Sequence, residues 1–324
     1  MMSTTHRSLS PDTRTGGRVV AVALVGILAV GALAGCFGAS SSDEQLVVAS
    51  PSGWIGEEIR THMIVKILRD ELGYDVKHLE NLQAGPIYTA LSDGDVHVFA
   101  GAWLPLQNDS LNAQPAGTIK ILADNLPAES VGLSLAVPKY VADMGITSLA
   151  DLDANKDLFG GKIMGIEPGA GMMQVGKART ALDIYGLADW EIIDASTPAM
   201  LAAYGDAVEA REPIVIMMWT PHYAYSKWSG DEAVTDLEDP GYEIDGQTMY
   251  LYKDQSDVAR VQTLVHKDFE ATFPEAAAFL KRFQITVEEE NELMLQVANG
   301  KSAKDAAYDY LAANPGKIQA WLGK

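Results

Sequence analysis

Two largely apolar runs of this chain each end on a tryptophan and turn at a proline two residues later. Residues 96–102 lead into Trp103 and Pro105, and residues 213–218 lead into Trp219 and Pro221. Apolar runs of this kind are typical of strands buried in a parallel sheet, and a proline just beyond the run ends the hydrogen-bonded ladder. We therefore expect each indole at the exit of a strand, the edge at which open α/β sheets bind their ligands.

A third tryptophan, Trp54, follows the short run 45–50 through a turn that contains Gly53. A single tryptophan is more often a packing residue than a binding residue. Three indoles in equivalent positions instead favour a binding box for an apolar cation. The other three tryptophans lack this setting and are interpreted as packing or surface residues: Trp190, Trp228 and Trp321.

A quaternary ammonium group suits such a box because its methyl groups donate no conventional hydrogen bond and aromatic faces can replace its water. Three cation–π contacts of ~2 kcal/mol each give ~6 kcal/mol, whereas micromolar binding needs ~8 kcal/mol. A polar anchor for the ligand is therefore expected, and the candidates are His222 and the backbone N–H groups of residues 52–55. Tyr223, next to His222, is either a further aromatic wall or a support.

The N-terminal segment predicts export. Arg14 and Arg18 precede a sixteen-residue apolar stretch, 19–34, which ends in small residues at Cys36. This stretch is shorter than the ~20 residues that a membrane-spanning helix needs, and the order of its parts is typical of a secretion signal. We predict a signal peptide over residues 1–35 and a flexible, serine-rich tether over residues 36–44.

Cys36 is the sole cysteine of the chain, so an intramolecular disulfide is excluded. The sequence Leu-Ala-Gly-Cys at 33–36 resembles the signal of bacterial lipoproteins, which implies that Cys36 is lipidated and becomes the first residue of the exported protein. A buried, inert cysteine is the alternative. Lipidation would anchor the protein to the cell membrane on its extracytoplasmic face.

Composition and motifs narrow the function further. The net charge of −20 argues against a nucleic-acid partner. The six histidines are scattered, and the zincin, nucleophile-elbow and Walker motifs are absent from the sequence, so we expect no catalytic residue, no metal and no cofactor. The glycine-rich segment 165–171 is either an anion-binding loop or simply a tight turn.

Apolar runs alternate with helical patterns along most of the chain. The order over residues 46–100 is β-α-β-α-β, which predicts a mainly parallel sheet, and a second set of elements begins near Val131. Helical patterns without strands of their own are expected over residues 257–283, 286–298 and 302–313. We expect one lobe built from residues 45–130 and 240–324 and a second lobe built from residues 131–239.

The motifs in order resemble those of the glycine betaine/choline substrate-binding lipoproteins of osmoprotectant-type ABC importers, from about Leu46 to the C-terminus. This resemblance implies an α/β, two-lobed type II periplasmic-binding-protein fold with a hinge. It also implies a quaternary ammonium ligand, a permease and ATPase complex as partner, and Trp54, Trp103 and Trp219 as cage residues. The resemblance rests on Gly53-Trp54, on residues 101–105, 131–133, 137–140, 165–171, 219–223 and 237–240, and on residues 273–277.

Two positions depart from this pattern. Some relatives place a cage tryptophan where this chain has Ala170, so Trp54 is expected to close the box. Choline-specific relatives have an aspartate two residues after the first tryptophan, where this chain has Gly56, although Glu57 or Glu58 could compensate. With His222 as a carboxylate donor, betaine-like zwitterions are favoured over choline.

Two other functions stay open at this point. An extracytoplasmic enzyme acting on a cationic substrate would need a general base, for which His222 is the candidate. A sensory receptor would bind the same ligand without importing it.

Overall fold

The computed structural model describes residues 44–127 and 131–324. The predicted signal peptide over 1–35, Cys36 and the tether up to residue 43 lie outside the described residues. Within the described ranges, no helix combines the length and the apolar character needed to cross a bilayer.

Strands and helices alternate through the first two thirds of the chain, and helices predominate after the last strand. In chain order the strands are β1 Leu46–Pro51, β2 Val76–Leu82, β3 Val98–Leu104, β4 Ile119–Asp124, β5 Gly132–Pro138, β6 Lys162–Met164, β7 Glu191–Ile193, β8 Ile216–Thr220, β9 Val234–Asp236, β10 Tyr242–Ile244, β11 Gln247–Met249 and β12 Arg260–His266. The α-helices are α1 Ile55–Asp70, α2 Ala84–Asp93, α3 Asn108–Asn112, α4 Lys139–Ala142, α5 Lys156–Phe159, α6 Gly171–Thr180, α7 Thr197–Ala210, α8 Ala224–Lys227, α9 Lys253–Ser256, α10 Phe269–Thr272, α11 Pro274–Leu280, α12 Val287–Ala298, α13 Ala303–Ala313 and α14 Pro315–Leu322.

Two five-stranded sheets organise these elements, in the orders β2-β1-β3-β12-β4 and β7-β6-β8-β5-β9. In the first sheet β1 pairs parallel with β2 and β3, whereas β12 pairs antiparallel with both β3 and β4. In the second, β6 pairs parallel with β7 and β8, and β5 pairs antiparallel with β8 and β9. Four strands of each sheet therefore run in one direction, and the predicted α/β fold with mainly parallel sheets is confirmed.

The prediction of helix throughout residues 257–283 is wrong, because Arg260–His266 forms β12. This strand lies between β3 and β4, and Val261, Thr263, Leu264 and Val265 are all buried. A short apolar run does not distinguish a buried strand from a buried helix, and the Ala- and Phe-rich segment that follows biased the prediction. The first sheet is completed only by this late strand.

The C-terminal helices pack on α1, the helix that contacts β1, β2 and β3 of the first sheet. Helices α12 and α13 both pack against α1. Helix α12 begins at a capping box in which Thr286 accepts from the Glu289 N–H and Glu289 accepts from the Thr286 N–H. Ser302 caps α13 by accepting from the Asp305 N–H. These caps define the first residue of each helix. The first residue in turn determines which side chains of the helix face α1.

The strands divide between the two sheets as a two-lobed fold requires, with residues 46–124 and 260–266 in one and 132–236 in the other. The exact boundaries at 130/131 and 239/240 stay a prediction. Residues just after 240 contact the second set: Asp254 forms an ion pair with Arg179, and the Tyr252 N–H donates to Asp239. These contacts favour a return to the first lobe nearer to Ala259.

Candidate functional site

The three tryptophans singled out in the sequence line one cavity, which we call the indole box. Trp103 and Trp219 are the penultimate residues of β3 and β8, each just before a cis X–Pro bond, and Trp54 directly precedes α1. All three are half-buried and open onto the same space, about 680 Å³ including its mouth. The cavity is also lined by the apolar side chains of Leu106, Leu133, Ile166, Met172 and Met294.

Buried glutamates hold the edges of two of these indoles. The Trp103 Nε1–H donates to Glu57 Oε1 at 2.9 Å, and the Trp54 Nε1–H donates to Glu167 Oε2 at 3.4 Å. Glu167 also accepts from the backbone N–H and the hydroxyl of Thr197. Because each indole is held by its N–H edge, its faces remain available to the cavity.

A buried charge cluster lies beside the box and consists of Glu57, Arg60 and Glu290. The Arg60 side chain is fully buried; its Nη2 lies 2.6 Å from Glu57 Oε1, and its Nη1 pairs with Glu290 Oε1. With both carboxylates ionised, the cluster carries a net charge of −1. Both glutamates line the cavity, so this charge borders it.

Glu290 is buried, and within the described part of the chain one of its two carboxyl oxygens lacks a hydrogen-bond partner. It is 2% exposed, and among the described residues its Oε2 has no hydrogen-bond partner. Burial raises the pKa of Glu290 to about 7, and the nearby Glu57 adds to this effect while Arg60 opposes it. The cavity therefore contains a carboxyl group with one free oxygen and a pKa near neutrality.

Gly56 lies directly against this carboxyl group. A Cβ added at Gly56 would lie 2.0 Å from Glu290 Oε1, so no larger residue fits while Glu290 keeps its place. The position where choline-specific relatives are expected to carry an aspartate is thus glycine here, and a carboxylate from α12 fills the adjoining space. The sequence pattern shows the missing aspartate at Gly56 but not the presence of Glu290 beside it.

His222 is buried at the cavity wall and neutral. Its Nδ1 accepts from the Ala224 N–H at 3.0 Å, which assigns the ring proton to Nε2. Burial lowers the pKa of His222 to about 3. The ring lies edge-on to Trp219, with centroids 4.8 Å apart. His222 therefore offers an uncharged donor.

The remaining predicted residues take different positions. Gly53 lines the cavity with φ +82°, a conformation that favours glycine, and its N–H donates to Glu58. The Ser52 N–H donates to Leu82, so two of the four amides expected as anchors are already engaged. Tyr223 is not among the lining residues and stacks on His222 with centroids 4.7 Å apart. Ala170 lines the cavity, where Trp54 serves as the third indole.

Sequence reasoning missed Arg60 and Glu290 and named Glu57 only as a compensating acid. One signal was present in the sequence: Glu290 shares the buried face of α12 with Leu293 and Met294, at helical spacing. A glutamate that interrupts a buried apolar stripe requires a partner. That this partner lies 230 residues earlier is not visible in the sequence pattern.

Two mixed sheets with a cavity at the strand exits define the class of two-lobed solute-binding proteins, and comparison with known proteins agrees. Residues 44–313 match the family described as the substrate binding domain of ABC-type glycine betaine transport systems. This match spans most of the chain, and the chain belongs to that family.

Individual relatives can be named as well. The glycine betaine/carnitine transport binding protein GbuC of Listeria monocytogenes is 32% identical over 180 residues, which are 54% of this chain and 54% of that protein. The chain thus matches about half the length of that relative. Lactococcal OpuAC, in a closed-liganded conformation with glycine betaine, superposes with a TM-score of 0.71 at 25% identity, covering 86% of this chain and 100% of the other. An ABC-transporter choline binding protein in complex with choline superposes with a TM-score of 0.75 at 26% sequence identity. That superposition covers 86% of this chain and 91% of the other.

The buried state of His222 predicts how stability depends on pH. The unfolded imidazole binds a proton near pH 6.5 and the folded one only near about 3, so the free energy of unfolding falls as the pH drops between these values. In His222→Gln, urea unfolding between about pH 5.5 and pH 4 should show a slope reduced by up to about 1.4 kcal/mol per pH unit. Tyr223→Phe, which changes the stacked neighbour, is the matched control and should keep the wild-type slope. An equal slope in all three proteins would contradict the assignment.

The packing at Gly56 predicts a second result. Gly56→Ala should lower the free energy of unfolding by about 1–3 kcal/mol, because the methyl group would displace the Glu290 carboxyl from its pairing with the buried Arg60. Gly85→Ala in α2 is the control: nothing lies within 4 Å of its added Cβ, and alanine favours helix by up to about 1 kcal/mol. In a Glu290→Ala background the cost of Gly56→Ala should shrink, as a double-mutant cycle would measure. Additive effects would refute the clash.

Proposed function

We propose that this chain is the extracytoplasmic substrate-binding component of an ABC importer, and that it captures glycine betaine or a related quaternary ammonium compound and delivers it to the permease. One observation carries the proposal: Trp54, Trp103 and Trp219, which come from different elements of both sheets, open onto one cavity beside buried carboxylates. Aromatic faces and nearby negative charge are what an onium head without hydrogen-bond donors requires.

The buried charges favour a cationic head over a neutral one. Glu57 and Glu290 line the cavity, and Arg60 neutralises only one of the two when both are ionised. Glu167, behind Trp54, adds a further carboxylate. In a low-dielectric cavity these groups attract a positive ligand more strongly than they would in water. An alkali cation would lose more hydration on entering the same indole box.

A carboxylate on the ligand would find a donor away from the buried charge cluster. The His222 Nε2–H is an uncharged donor that follows β8, whereas Glu57 and Glu290 belong to α1 and α12. The His222 donor supports a betaine-type zwitterion as the preferred ligand. Choline is the second candidate, supported by the unpartnered Oε2 of Glu290, which could accept from a ligand hydroxyl.

Closure of the two lobes on the ligand is the proposed mechanism. The Trp54–Glu167 hydrogen bond joins the loop after β1 to the loop after β6, and thus links the two strand sets across the cavity. A ligand that touches both sides stabilises the closed arrangement, which the permease would recognise. Lobe boundaries at 130/131 and near 240, with a hinge between them, belong to this proposal.

Export and anchoring are part of the same proposal. Substrate-binding proteins of ABC importers work outside the cytoplasm, which agrees with a signal peptide over residues 1–35. Lipidation of Cys36 would hold the protein at the cell membrane beside its permease and ATPase. Mass spectrometry of the membrane fraction, with Cys36→Ala as control, tests the anchor.

An enzymatic role is less well supported than binding. The general base suggested by the sequence, His222, has a pKa of about 3, which makes it a poor proton acceptor near neutral pH. A sensory role would use the same cavity. Neighbouring genes for an ATPase and a permease would favour import over sensing.

The indole box predicts the effect of removing its walls. Trp103→Ala and Trp219→Ala should each weaken glycine betaine binding by about 2 kcal/mol or more, roughly thirtyfold in Kd. The measurement is isothermal titration calorimetry on the soluble chain lacking residues 1–36. Trp190→Phe is the control, because Trp190 packs against Phe159 outside the cavity lining, and its affinity should be unchanged. Wild-type affinity in both alanine variants would refute the site.

A second titration tests the carboxylate anchor. His222→Phe keeps an aromatic ring and removes the Nε2–H, so glycine betaine should bind about ten- to hundredfold more weakly, the value of a charge-assisted hydrogen bond. Choline, which has no carboxylate, should change by less than about threefold. Equal losses for both ligands would show that His222 acts only through packing.

A further inference from the structure

A second group of chemically active side chains lies outside the lining of the indole box. His62 projects from α1, while His78 and Glu80 occupy alternate positions of β2. Helix α1 packs against β2, and this contact brings the three side chains together. The two imidazole rings meet edge to face, with centroids 5.0 Å apart. Two histidines and one carboxylate thus converge at the junction of a helix and a strand.

The spacing of their polar atoms suits a single metal ion. Glu80 Oε1 lies 3.5 Å from His62 Nε2 and 3.2 Å from His78 Nδ1, and one ligand atom from each residue lies within 4.8 Å of the others. A tetrahedral zinc ion with bonds of ~2.0–2.1 Å keeps its ligand atoms about 3.4 Å apart. Two of the three separations already have this value.

The backbone and a neighbouring hydroxyl hold the group in place. His78 Nε2 lies 2.9 Å from Oγ of the buried Ser50, and a ligating histidine commonly bonds through its other ring nitrogen in this way. The pairing of β1 with β2 is irregular between Ala49 and Pro51, and Asn81 has φ +62°. A bulge of this kind changes the direction of the adjoining side chain, here Glu80.

The charges around the group are mixed. Glu58, one helical turn before His62, lines a surface hollow together with His62 and Glu80. Lys304 lines the same hollow, and its positive charge limits the affinity for a metal ion without occupying any of the three ligand positions.

We propose that His62, His78 and Glu80 form a zinc site that fastens α1 to β2, with a water molecule completing the coordination. Two imidazole nitrogens and one carboxylate oxygen form a ligand set that binds Zn²⁺ in preference to Ca²⁺ or Mg²⁺, which take oxygen ligands. The site is independent of the proposed ligand and of transport. No sequence motif indicates this site, because its ligands come from a helix and a strand rather than from one motif of fixed spacing.

The test is titration of the untagged soluble chain, lacking residues 1–36, with Zn²⁺ in the absence of any quaternary ammonium compound. Calorimetry should give one bound ion per chain, and the Tm should rise with Zn²⁺. Titration with Co²⁺ should give the visible absorption of a tetrahedral site. His62→Gln and His78→Gln should each raise the Kd for Zn²⁺ at least tenfold.

Two further variants distinguish a specific zinc site from non-specific zinc binding. Glu80 is 50% exposed, so Glu80→Gln removes a ligand with little risk to folding and should also raise the Kd severalfold. His266→Gln is the matched control, because His266 lies in another pair, with Asp268, and its loss should leave the Kd unchanged. Zinc binding that is equal in all variants, or absent at millimolar Zn²⁺, would overturn the proposal. Loss of glycine betaine binding with intact zinc binding would refute only the proposed function.

Discussion

The fully buried guanidinium of Arg60 is the interaction on which the site depends. It pairs with Glu57 on its own helix and with Glu290 on α12, and Glu57 in turn accepts from the Trp103 indole. Breaking such a pair leaves an uncompensated buried charge, which costs about 3–5 kcal/mol. One side chain therefore holds the first helix, a C-terminal helix and a wall of the indole box in a fixed relation.

The cost of burying these charges is consistent with binding a cation. A wholly apolar cluster would pack as well, and it would avoid the desolvation of three ions. The excess carboxylate of the cluster instead lines the cavity, where Glu290 keeps one oxygen without a partner among the described residues. Gly56 accommodates this carboxyl group, so its missing side chain and the glutamate form one feature. The electrostatics of the cavity and the packing of α1 on α12 therefore cannot be changed separately.

A prediction from the sequence agrees with the structure where the feature depends on neighbouring residues, and it fails where the feature depends on distant ones. Trp103 and Trp219 were placed correctly at strand exits, because an apolar run followed by proline defines the end of a strand within a few residues. Residues 260–266 were assigned to a helix, because their strand is stabilised by β3 and β4, more than 130 residues earlier for each. His222 was expected at the cleft from its distance to Trp219, but its neutral, single-tautomer state follows from burial and from the Ala224 amide.

The sequence by itself determined the β-α-β-α-β order of residues 46–100, the strand exits at Trp103 and Trp219 and the three candidate indoles, because each depends on residues adjacent in the chain. Tertiary structure alone decided that Glu290 reaches Arg60 and Gly56, and that His62 meets His78 and Glu80. The physical reason is that burial, electrostatic pairing and steric exclusion act through space. Their partners are selected when helices pack on strands, and no spacing along the chain encodes that choice.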